Sequence, residues 1–364
     1  MKIAFFASSL VSAYWNGAAT YYRGIVRALH ERGHEVTFYE PDAYDRQQHR
    51  DMADPLWAKV VVYPATTEAE VLRTLEAARG ADLVVKASGV GVHDALLERA
   101  VLELQSPSTL VAFWDVDAPA TLDRVHGDAA DAFRPLIPRY DLVLTYGGGE
   151  PVRRAYLGLG ARDCVPIYNA LDPETHHPVA REPRFQCDLA FLGNRLPDRE
   201  ARVEEFLLRP AAQLPDQRML LGGSGWGDKA LPANLRYLGH VYTADHNAFN
   251  CTPRAVLNVS RESMARYGFS PATRVFEAAG AAACLITDAW EGLETFFEPE
   301  REVLVARSGD EVAQHVAGLD AQCARAIGQA AYRRVLAEHT YAHRAAQFDA
   351  VLAGGRKTAL AEAA

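Results

Sequence analysis

The sequence is short of positive charge. Its 364 residues include 38 lysines and arginines against 47 aspartates and glutamates, which gives a formal net charge of −9 at pH 7. Proteins that bind nucleic acids carry clusters of Lys and Arg, because these side chains displace counterions from the phosphates. We therefore expect no nucleic-acid partner. A local basic pocket for a small anion remains compatible with this balance, since net charge describes only the long-range field.

Cysteine and long apolar runs are also scarce. The first apolar run covers residues 3–7, which is shorter than the roughly 7–15 residues of the hydrophobic segment in a secretory signal. No later run approaches the roughly 20 apolar residues that a membrane helix needs, so we expect a cytoplasmic protein without a transmembrane segment. The cysteines form no C-x-x-C pair and are odd in number, which argues against a disulfide framework or a cysteine-based metal cluster. They are Cys164, Cys187, Cys251, Cys284 and Cys323.

What the sequence does contain is an alternation of short apolar runs with amphipathic stretches. This alternation is typical of the βαβ units that build parallel sheets. One series of predicted strands runs from residue 3 to residue 145, and a second runs from residue 187 to residue 306. The sequence therefore predicts an α/β protein with two Rossmann-like, doubly wound domains that face a central cleft. In such sheets ligands bind beyond the carboxyl ends of the strands, so functional residues are expected in the loops that follow them.

The length of the chain fits two α/β domains of ordinary size. A stretch rich in Pro, His and Glu, without hydrophobic periodicity, separates the two series and is predicted to be a linker. The predicted domains are an N-terminal domain over residues 1–170, the linker over 171–183, and a C-terminal domain over 184–340. A last helix over residues 341–353 is able to pack back on the first domain.

The segment over residues 261–290 carries the strongest local signal. Ser270 is a good N-cap and Pro271 a good first helical residue, which predicts a helix from Ser270 to about Gly280. Free N–H groups and the helix dipole make such an end an anion site, and a diphosphate fits it. Arg274 is then placed to pair with a phosphate and Glu277 with ribose hydroxyls. The alternative is an ordinary capped helix on which Arg274 and Glu277 form a surface ion pair.

Two glycine-containing loops follow predicted strands. The loop GGSGWG contains Gly223 and Ser224, and its glycines allow a close approach of the backbone to a base or a phosphate. Gly17 lies in the corresponding loop after the first strand, with the sequence NGAA. Either loop could equally be an ordinary turn, because neither forms a G-x-G-x-x-G fingerprint.

Asp115 and His93 also follow predicted strands. Asp115 begins a D-x-D triplet, and a carboxylate at that position could bind an acceptor hydroxyl or act as a base. The alternative is that Asp117 or Thr121 in this region caps the next helix. His93 could likewise begin a helical turn. We expect no metal at the D-x-D triplet.

The segments GFSPATRVFEAAG, FLGNRLPDRE and GGSGWG resemble the donor-binding region of group-1 glycosyltransferases, in particular their CgeB-like branch. The resemblance extends over most of the chain and implies a GT-B fold. It places Glu277 at the nucleotide ribose, with Ser270 and Arg274 beside the diphosphate. The position eight residues before Glu277, where the larger family usually has a second glutamate, is Phe269, so the resemblance does not imply the contacts to the donor sugar ring. The implied donor-binding residues are Gly17, Arg195, Gly223, Ser224, Arg261, Ser270, Arg274 and Glu277.

The resemblance implies a glycosyltransferase that moves a sugar from a nucleotide-diphosphate donor to an unidentified acceptor. We expect it to be retaining and to need neither a metal nor another cofactor. Arg274 would stabilise the leaving diphosphate, and Asp115 and His93 are the candidate catalytic residues of the N-terminal domain. Two alternatives stay open, namely a sugar-nucleotide epimerase on the same fold and a non-catalytic two-lobed ligand-binding protein.

Overall fold

The computed structural model describes residues 1–14 and 16–362. The chain divides into two compact units, one formed by Met1–Asn169 together with the residues from Tyr341 onwards, and the other by Ala170–Thr340. Residues 171–183 belong to the second unit. Among the described helices, none combines the length and the apolar character needed to cross a bilayer.

The first unit contains a seven-stranded sheet in which all neighbouring strands are parallel. The strand order is β3-β2-β1-β4-β5-β6-β7, so the order reverses between β1 and β4. The strands are β1 Lys2–Phe6, β2 Glu35–Asp42, β3 Lys59–Pro64, β4 Leu83–Ala87, β5 Leu110–Asp115, β6 Leu142–Thr145 and β7 Cys164–Pro166. The helices between them are α1 Ala19–Glu31, α2 Glu68–Glu76, α3 Asp94–Ala100, α4 Ala118–Gly127 and α5 Gly149–Gly158.

The second unit contains a six-stranded parallel sheet with the order β10-β9-β8-β11-β12-β13, which reverses between β8 and β11. The strands are β8 Leu189–Leu192, β9 Met219–Gly222, β10 Leu235–Gly239, β11 Ala255–Asn258, β12 Leu285–Asp288 and β13 Leu304–Ala306. The helices are α6 Glu200–Val203, α7 Arg209–Gln213, α8 His246–Cys251, α9 Glu262–Tyr267, α10 Thr273–Gly280, α11 Gly309–Gly318 and α12 Ala321–Glu338. The predicted pair of Rossmann-like, doubly wound domains is confirmed.

The last helix, α13 (Tyr341–Glu362), packs on α1 in the first unit. Gly24 of α1 makes this contact possible, because a Cβ atom there would lie 2.1 Å from the Tyr341 ring. Further along α13, the fully buried Phe348 ring stacks on Trp114 of β5, with the ring centroids 5.6 Å apart. The helix therefore completes the aromatic core of the first unit.

We expect Phe348→Ala to lower the free energy of unfolding of the first unit by about 3–5 kcal/mol, because it removes a buried aromatic ring and leaves a cavity. Calorimetric melting measures the loss. Leu336→Ala is the control, since this exposed α12 side chain should change stability by no more than about 0.5 kcal/mol. A loss below about 1 kcal/mol for Phe348→Ala would contradict a core role for α13.

Candidate functional site

Glu277 is a buried carboxylate in the second turn of α10, with 7% of its surface exposed. One of its oxygens, Oε2, lies 3.3 Å from Nη1 of Arg274, one helical turn earlier. Although burial opposes ionisation, the Arg274 guanidinium, followed by His176 and His246, lowers the pKa of Glu277 below its usual value. The carboxylate is therefore ionised at neutral pH. The ion pair between Arg274 and Glu277 exists as the sequence suggested, but it is mostly buried instead of lying on a solvated face.

His176 and His246 face the same carboxylate. His176 Nε2 lies 3.9 Å from Glu277 Oε1. Burial, with the charge of Arg274, lowers the pKa of both imidazoles, that of His246 to about 4, so both rings are neutral at neutral pH. His246 Nε2 lies 3.2 Å from the Val241 carbonyl and donates to it as a neutral ring.

Two polar atoms of this cluster are buried without a hydrogen-bond partner among the described residues. They are Nε2 of His176 and Nη1 of Arg274, whose contact with Glu277 lacks hydrogen-bond geometry. Buried polar groups are nearly always satisfied, so such atoms point to a missing partner. A ligand with several hydroxyl groups, or ordered water, would supply it.

The same cluster is the one place in residues 1–14 and 16–362 where three potential metal ligands converge. Ligand atoms of His176, His246 and Glu277 lie within 4.8 Å of one another. Two imidazoles and a carboxylate form a ligand set that zinc uses in proteins. The Arg274 guanidinium, which faces the second oxygen of the same carboxylate, opposes a cation at this point.

The turn that leads into α10 differs from the predicted one. The helix begins at Thr273, and its N-cap is Ala272, in extended conformation and without a side-chain cap. Ser270 is not the N-cap, because its hydroxyl donates to the Gly268 carbonyl at 2.8 Å. Gly268 and Phe269 both have positive φ, of 69° and 45°. This turn lies just before the predicted helix start, and Ser270, Pro271 and Ala272 connect it to the first helical residue, Thr273.

Three arginines gather at the carboxyl ends of the central strands. Arg199 follows β8, Arg261 follows β11, and Arg274 lies in the first turn of α10. Burial, and then the charges of Arg261 and Arg274, lower the pKa of Arg199. Asp198 supplies one counter-charge, accepting from Arg261 Nε at 2.6 Å. The loops after β8 and β11 flank the reversal of strand order, where doubly wound sheets bind ligands. This edge therefore brings three guanidinium groups together, with Asp198 and Glu277 as partners of Arg261 and Arg274.

The glycine-rich loop after β9 packs on the loop after β8. Gly223 has φ of 116°, and a Cβ atom there would lie 2.2 Å from the Gly193 carbonyl oxygen. The backbone N–H of Ser224 donates to Asn194 Oδ1 at 2.9 Å. Gly223 is therefore required by loop packing, and the Ser224 N–H is already occupied.

Arg195 is held by two carboxylates. Its guanidinium donates to Glu200 at 2.7 Å and to Asp228 at 2.9 Å. Its charge is therefore already compensated. Arg199, four residues later in the same motif, has a buried Nε without a hydrogen-bond partner among the described residues. The predicted donor-binding role of Arg195 stays a prediction.

Asp115 lies at the end of β5 with no exposed surface. It accepts hydrogen bonds from Ser88 Oγ, Thr121 Oγ1 and Tyr156 OH, at 2.8, 3.1 and 2.5 Å. Burial raises its pKa. This geometry fits a group that joins β4, β5, α4 and α5, and it does not support the prediction of a base that reaches an acceptor.

The other predicted residues of the first unit have simpler surroundings. His93 precedes α3 in a left-handed conformation with φ of 52°, and its Nε2 lies 3.0 Å from the Ala65 carbonyl oxygen. Gly17 lies in an exposed turn before α1, with no atom within 4 Å of a Cβ built there. The structure thus brings Arg261, Arg274 and Glu277 to one edge of the second sheet, close to the turn that holds Ser270.

Three residues of this edge were missed in the sequence. Arg199 belongs to the FLGNRLPDRE motif, so its position after a predicted strand was an available signal. His176 lies in the stretch predicted to be a linker, and His246 begins a short helix of six residues. Neither histidine has a sequence pattern of its own, because their meeting depends on tertiary packing.

Comparison with known proteins gives the following matches. Residues 199–350 match a family model described as glycosyl transferase-like. No curated protein matched the chain. Among solved structures, sucrose-phosphate synthase from Thermosynechococcus elongatus has 15% identity and a TM-score of 0.71, covering 97% of this chain and 98% of that one.

Two further structures show the same likeness. Anabaena HepE in complex with UDP and glucose has 14% identity and a TM-score of 0.67, covering 97% of this chain and all of that one. An alpha-glucosyltransferase in complex with UDP-glucose and DNA containing an abasic site has 12% identity and a TM-score of 0.71, covering 96% and 99%. At these identities the likeness establishes the fold. The chain has the GT-B fold, and its residues 199–350 are similar to the glycosyl transferase-like family.

Proposed function

We propose that the protein is a glycosyltransferase that moves a sugar from a nucleotide-diphosphate donor to an acceptor. The observation that carries the proposal is the meeting of Arg199, Arg261 and Arg274 with the ionised, buried Glu277 at the carboxyl edge of the second sheet. This arrangement offers positive charge for a diphosphate and an acceptor of hydrogen bonds for a sugar. The group-1 and CgeB-like motifs in the sequence support the same activity.

The three arginines would bind the diphosphate. Guanidinium groups pair with phosphate oxygens through two parallel hydrogen bonds, and these are among the strongest polar contacts in proteins. The amino end of α10, where Arg274 lies, adds the positive end of a helix dipole. As the bond to the sugar breaks, charge grows on the departing diphosphate, so the same groups would stabilise the transition state more than the ground state.

Glu277 would bind the nucleotide ribose. An ionised carboxylate accepts hydrogen bonds from two neighbouring hydroxyl groups, and burial in a low dielectric strengthens them. His176 Nε2, which is buried and without a hydrogen-bond partner 3.9 Å from Glu277 Oε1, would reach the same hydroxyls. The HepE structure is a complex with UDP and glucose, and the alpha-glucosyltransferase structure is a complex that contains UDP-glucose, so uridine donors are the first to test.

We further propose that the reaction retains configuration and needs no enzymic base. In related retaining enzymes the donor phosphate itself helps to deprotonate the acceptor. Asp115 is fully buried and His93 lies against the Ala65 carbonyl, so neither is a strong candidate for that proton. The chain would then act through positioning and charge stabilisation.

The proposal also holds that no metal or other cofactor takes part. Should a divalent cation bind, His176, His246 and Glu277 would hold it. We favour a sugar hydroxyl over a cation as the ligand of Glu277, because the Arg274 guanidinium lies 3.3 Å from the carboxylate and already balances its charge.

The first test compares Glu277→Gln and Arg274→Ala in steady-state kinetics with UDP-sugars. Glu277→Gln should mainly raise the donor KM, because its hydrogen bonds are present before and during the reaction. Arg274→Ala should lower kcat as well, by a factor on the order of 10², since its charge opposes charge that develops in the transition state. Melting curves control for folding. Unchanged kinetic constants in both folded variants would remove the site assignment.

The second test uses the two arginines of one motif. Arg199→Gln should weaken donor binding at least about tenfold, because it removes a guanidinium from the proposed diphosphate site. Arg195→Gln is the matched control, since this arginine is already paired with Glu200 and Asp228, and it should change donor binding less than about threefold. Equal losses in the two variants, or a larger loss for Arg195→Gln, would contradict the assignment of Arg199.

The third test concerns metal. UDP at about 100 times its dissociation constant should stabilise the protein by about 2.7 kcal/mol, and we expect the same melting shift in the presence of EDTA. The melting shift is also measured with added Zn²⁺ and compared with the shift in EDTA. A cation held by His176, His246 and Glu277 would occupy the site proposed for the ribose. A shift that vanishes with EDTA and returns with a divalent cation would overturn metal-free donor binding.

A further inference from the structure

The second unit has a cavity of about 180 Å³ at the edge of its sheet opposite to Glu277. Its walls include the residues that come directly before four strands, namely Asp188 before β8, Arg218 before β9, Arg254 before β11 and Cys284 before β12. The first residues of α12 close one side. Because the strands are parallel, these amino ends share one edge, and the cavity is separate from the proposed donor site.

The cavity is strongly basic. Four arginines line it, Arg181, Arg218, Arg254 and Arg325, together with the single carboxylate of Asp188. That carboxylate is already engaged, because Oδ1 lies 3.3 Å from Arg254 Nη2 and Oδ2 accepts from the Arg218 backbone N–H at 2.7 Å. The lining therefore has a surplus of three positive charges.

Three of these arginines form no salt bridge with the side chains that the structure describes, although the charge of Arg325 contributes, after backbone hydrogen bonds, to lowering the pKa of Asp320 at the N-cap of α12. Arg181, Arg218 and Arg325 are exposed, and none of them takes part in a described salt bridge, whereas Arg195 and Arg209 on the same unit each pair with two carboxylates. In a chain with a net charge of −9, unpaired guanidiniums that converge on one cavity create a local field of the opposite sign.

The remaining lining does not oppose an anion. Burial raises the pKa of the Cys187 and Cys284 thiols to about 12, so both stay uncharged at neutral pH. The cavity volume of about 180 Å³ is well above the roughly 10–15 Å³ that a single water requires, which leaves room for one or two phosphate groups. The cavity thus combines charge, donors and size for such a ligand.

We propose that this cavity is a second anion site, which binds a small molecule carrying one or two phosphate groups. Arg218 and Arg325 supply guanidinium donors from two different elements, one before β9 and one from α12, and Arg181 supplies a third. Guanidinium groups suit phosphate because their planar donors match its oxygens in pairs.

The elements that form the cavity also carry the donor-site cluster. Cys251 Sγ, at the end of α8, donates to the Ala281 carbonyl after α10 at 3.2 Å. It also accepts from the Val179 backbone N–H at 3.4 Å, and Thr252 Oγ1 accepts from the Glu182 N–H at 2.9 Å. His246 lies in α8, Glu277 in α10 and His176 in the segment over residues 171–183, so the same three segments contribute to both sites.

The test is calorimetric titration with inorganic pyrophosphate, and in parallel with orthophosphate, at constant ionic strength. The protein used is Arg274→Ala, in which the proposed donor site is weakened, so that binding reports on the cavity. Adding Arg218→Gln and Arg325→Gln should raise the dissociation constant at least about tenfold, because two charged hydrogen-bonding groups are lost. Arg333→Gln is the matched control, an exposed α12 arginine outside the cavity, and should leave binding unchanged.

The outcomes separate the two sites. Binding that survives Arg274→Ala and falls with Arg218→Gln and Arg325→Gln supports the cavity site, whether or not the glycosyltransferase proposal holds. Binding that disappears with Arg274→Ala, or that is equally weakened by Arg333→Gln, overturns it. So does the absence of measurable binding of either anion at millimolar concentration to the wild-type protein.

Discussion

Parallel strands place all of their carboxyl ends along one edge of a sheet and all of their amino ends along the other. In the second unit this constraint decides where chemistry is possible. Residues that follow β8 and β11 meet at the carboxyl edge although they are far apart in sequence, and residues that precede β8, β9, β11 and β12 meet at the amino edge. Arg199 and Arg261 owe their proximity to the first rule, and Arg218 and Arg254 owe theirs to the second.

Within that framework the charge on Glu277 requires the most support. A buried carboxylate loses hydration, and it stays ionised only when nearby positive or polar groups replace the lost water. Arg274 supplies the charge from one turn earlier on the same helix, and the neutral rings of His176 and His246 supply polar contacts from two other segments. The ionisation of the buried Glu277 therefore depends on three separate segments, which come together only in the folded second unit.

Much of the fold was predictable from the sequence, because the apolar runs correspond to the strands of the two parallel sheets and the amphipathic stretches to the helices between them. The predicted start of α10 was wrong, because a local hydrogen bond and the backbone conformation before the helix differ from those of a capped start. The Ser270 hydroxyl bonds to the Gly268 carbonyl instead of capping the helix, and Gly268 and Phe269 turn left-handed, so the helix begins at Thr273.

The candidate site was predictable only in part. Glu277 and Arg274 lie one helical turn apart, so sequence spacing alone predicted that they would be neighbours. His176 and His246 come from elements without a distinctive pattern, and their approach to Glu277 follows from long-range packing. Asp115 is the opposite example. Its position at the end of a strand is typical of a ligand-binding residue, but its carboxylate accepts hydrogen bonds from buried side chains of the same unit.

The return of α13 to the first unit has a consequence for synthesis of the protein. The second unit is continuous in sequence, from Ala170 to Thr340, and can complete its fold as soon as it leaves the ribosome. The first unit starts earlier but lacks Tyr341 and Phe348 until the whole second unit has been synthesised. Its aromatic core around Trp114 stays open during that interval, so the unit that is translated first is the one that matures last.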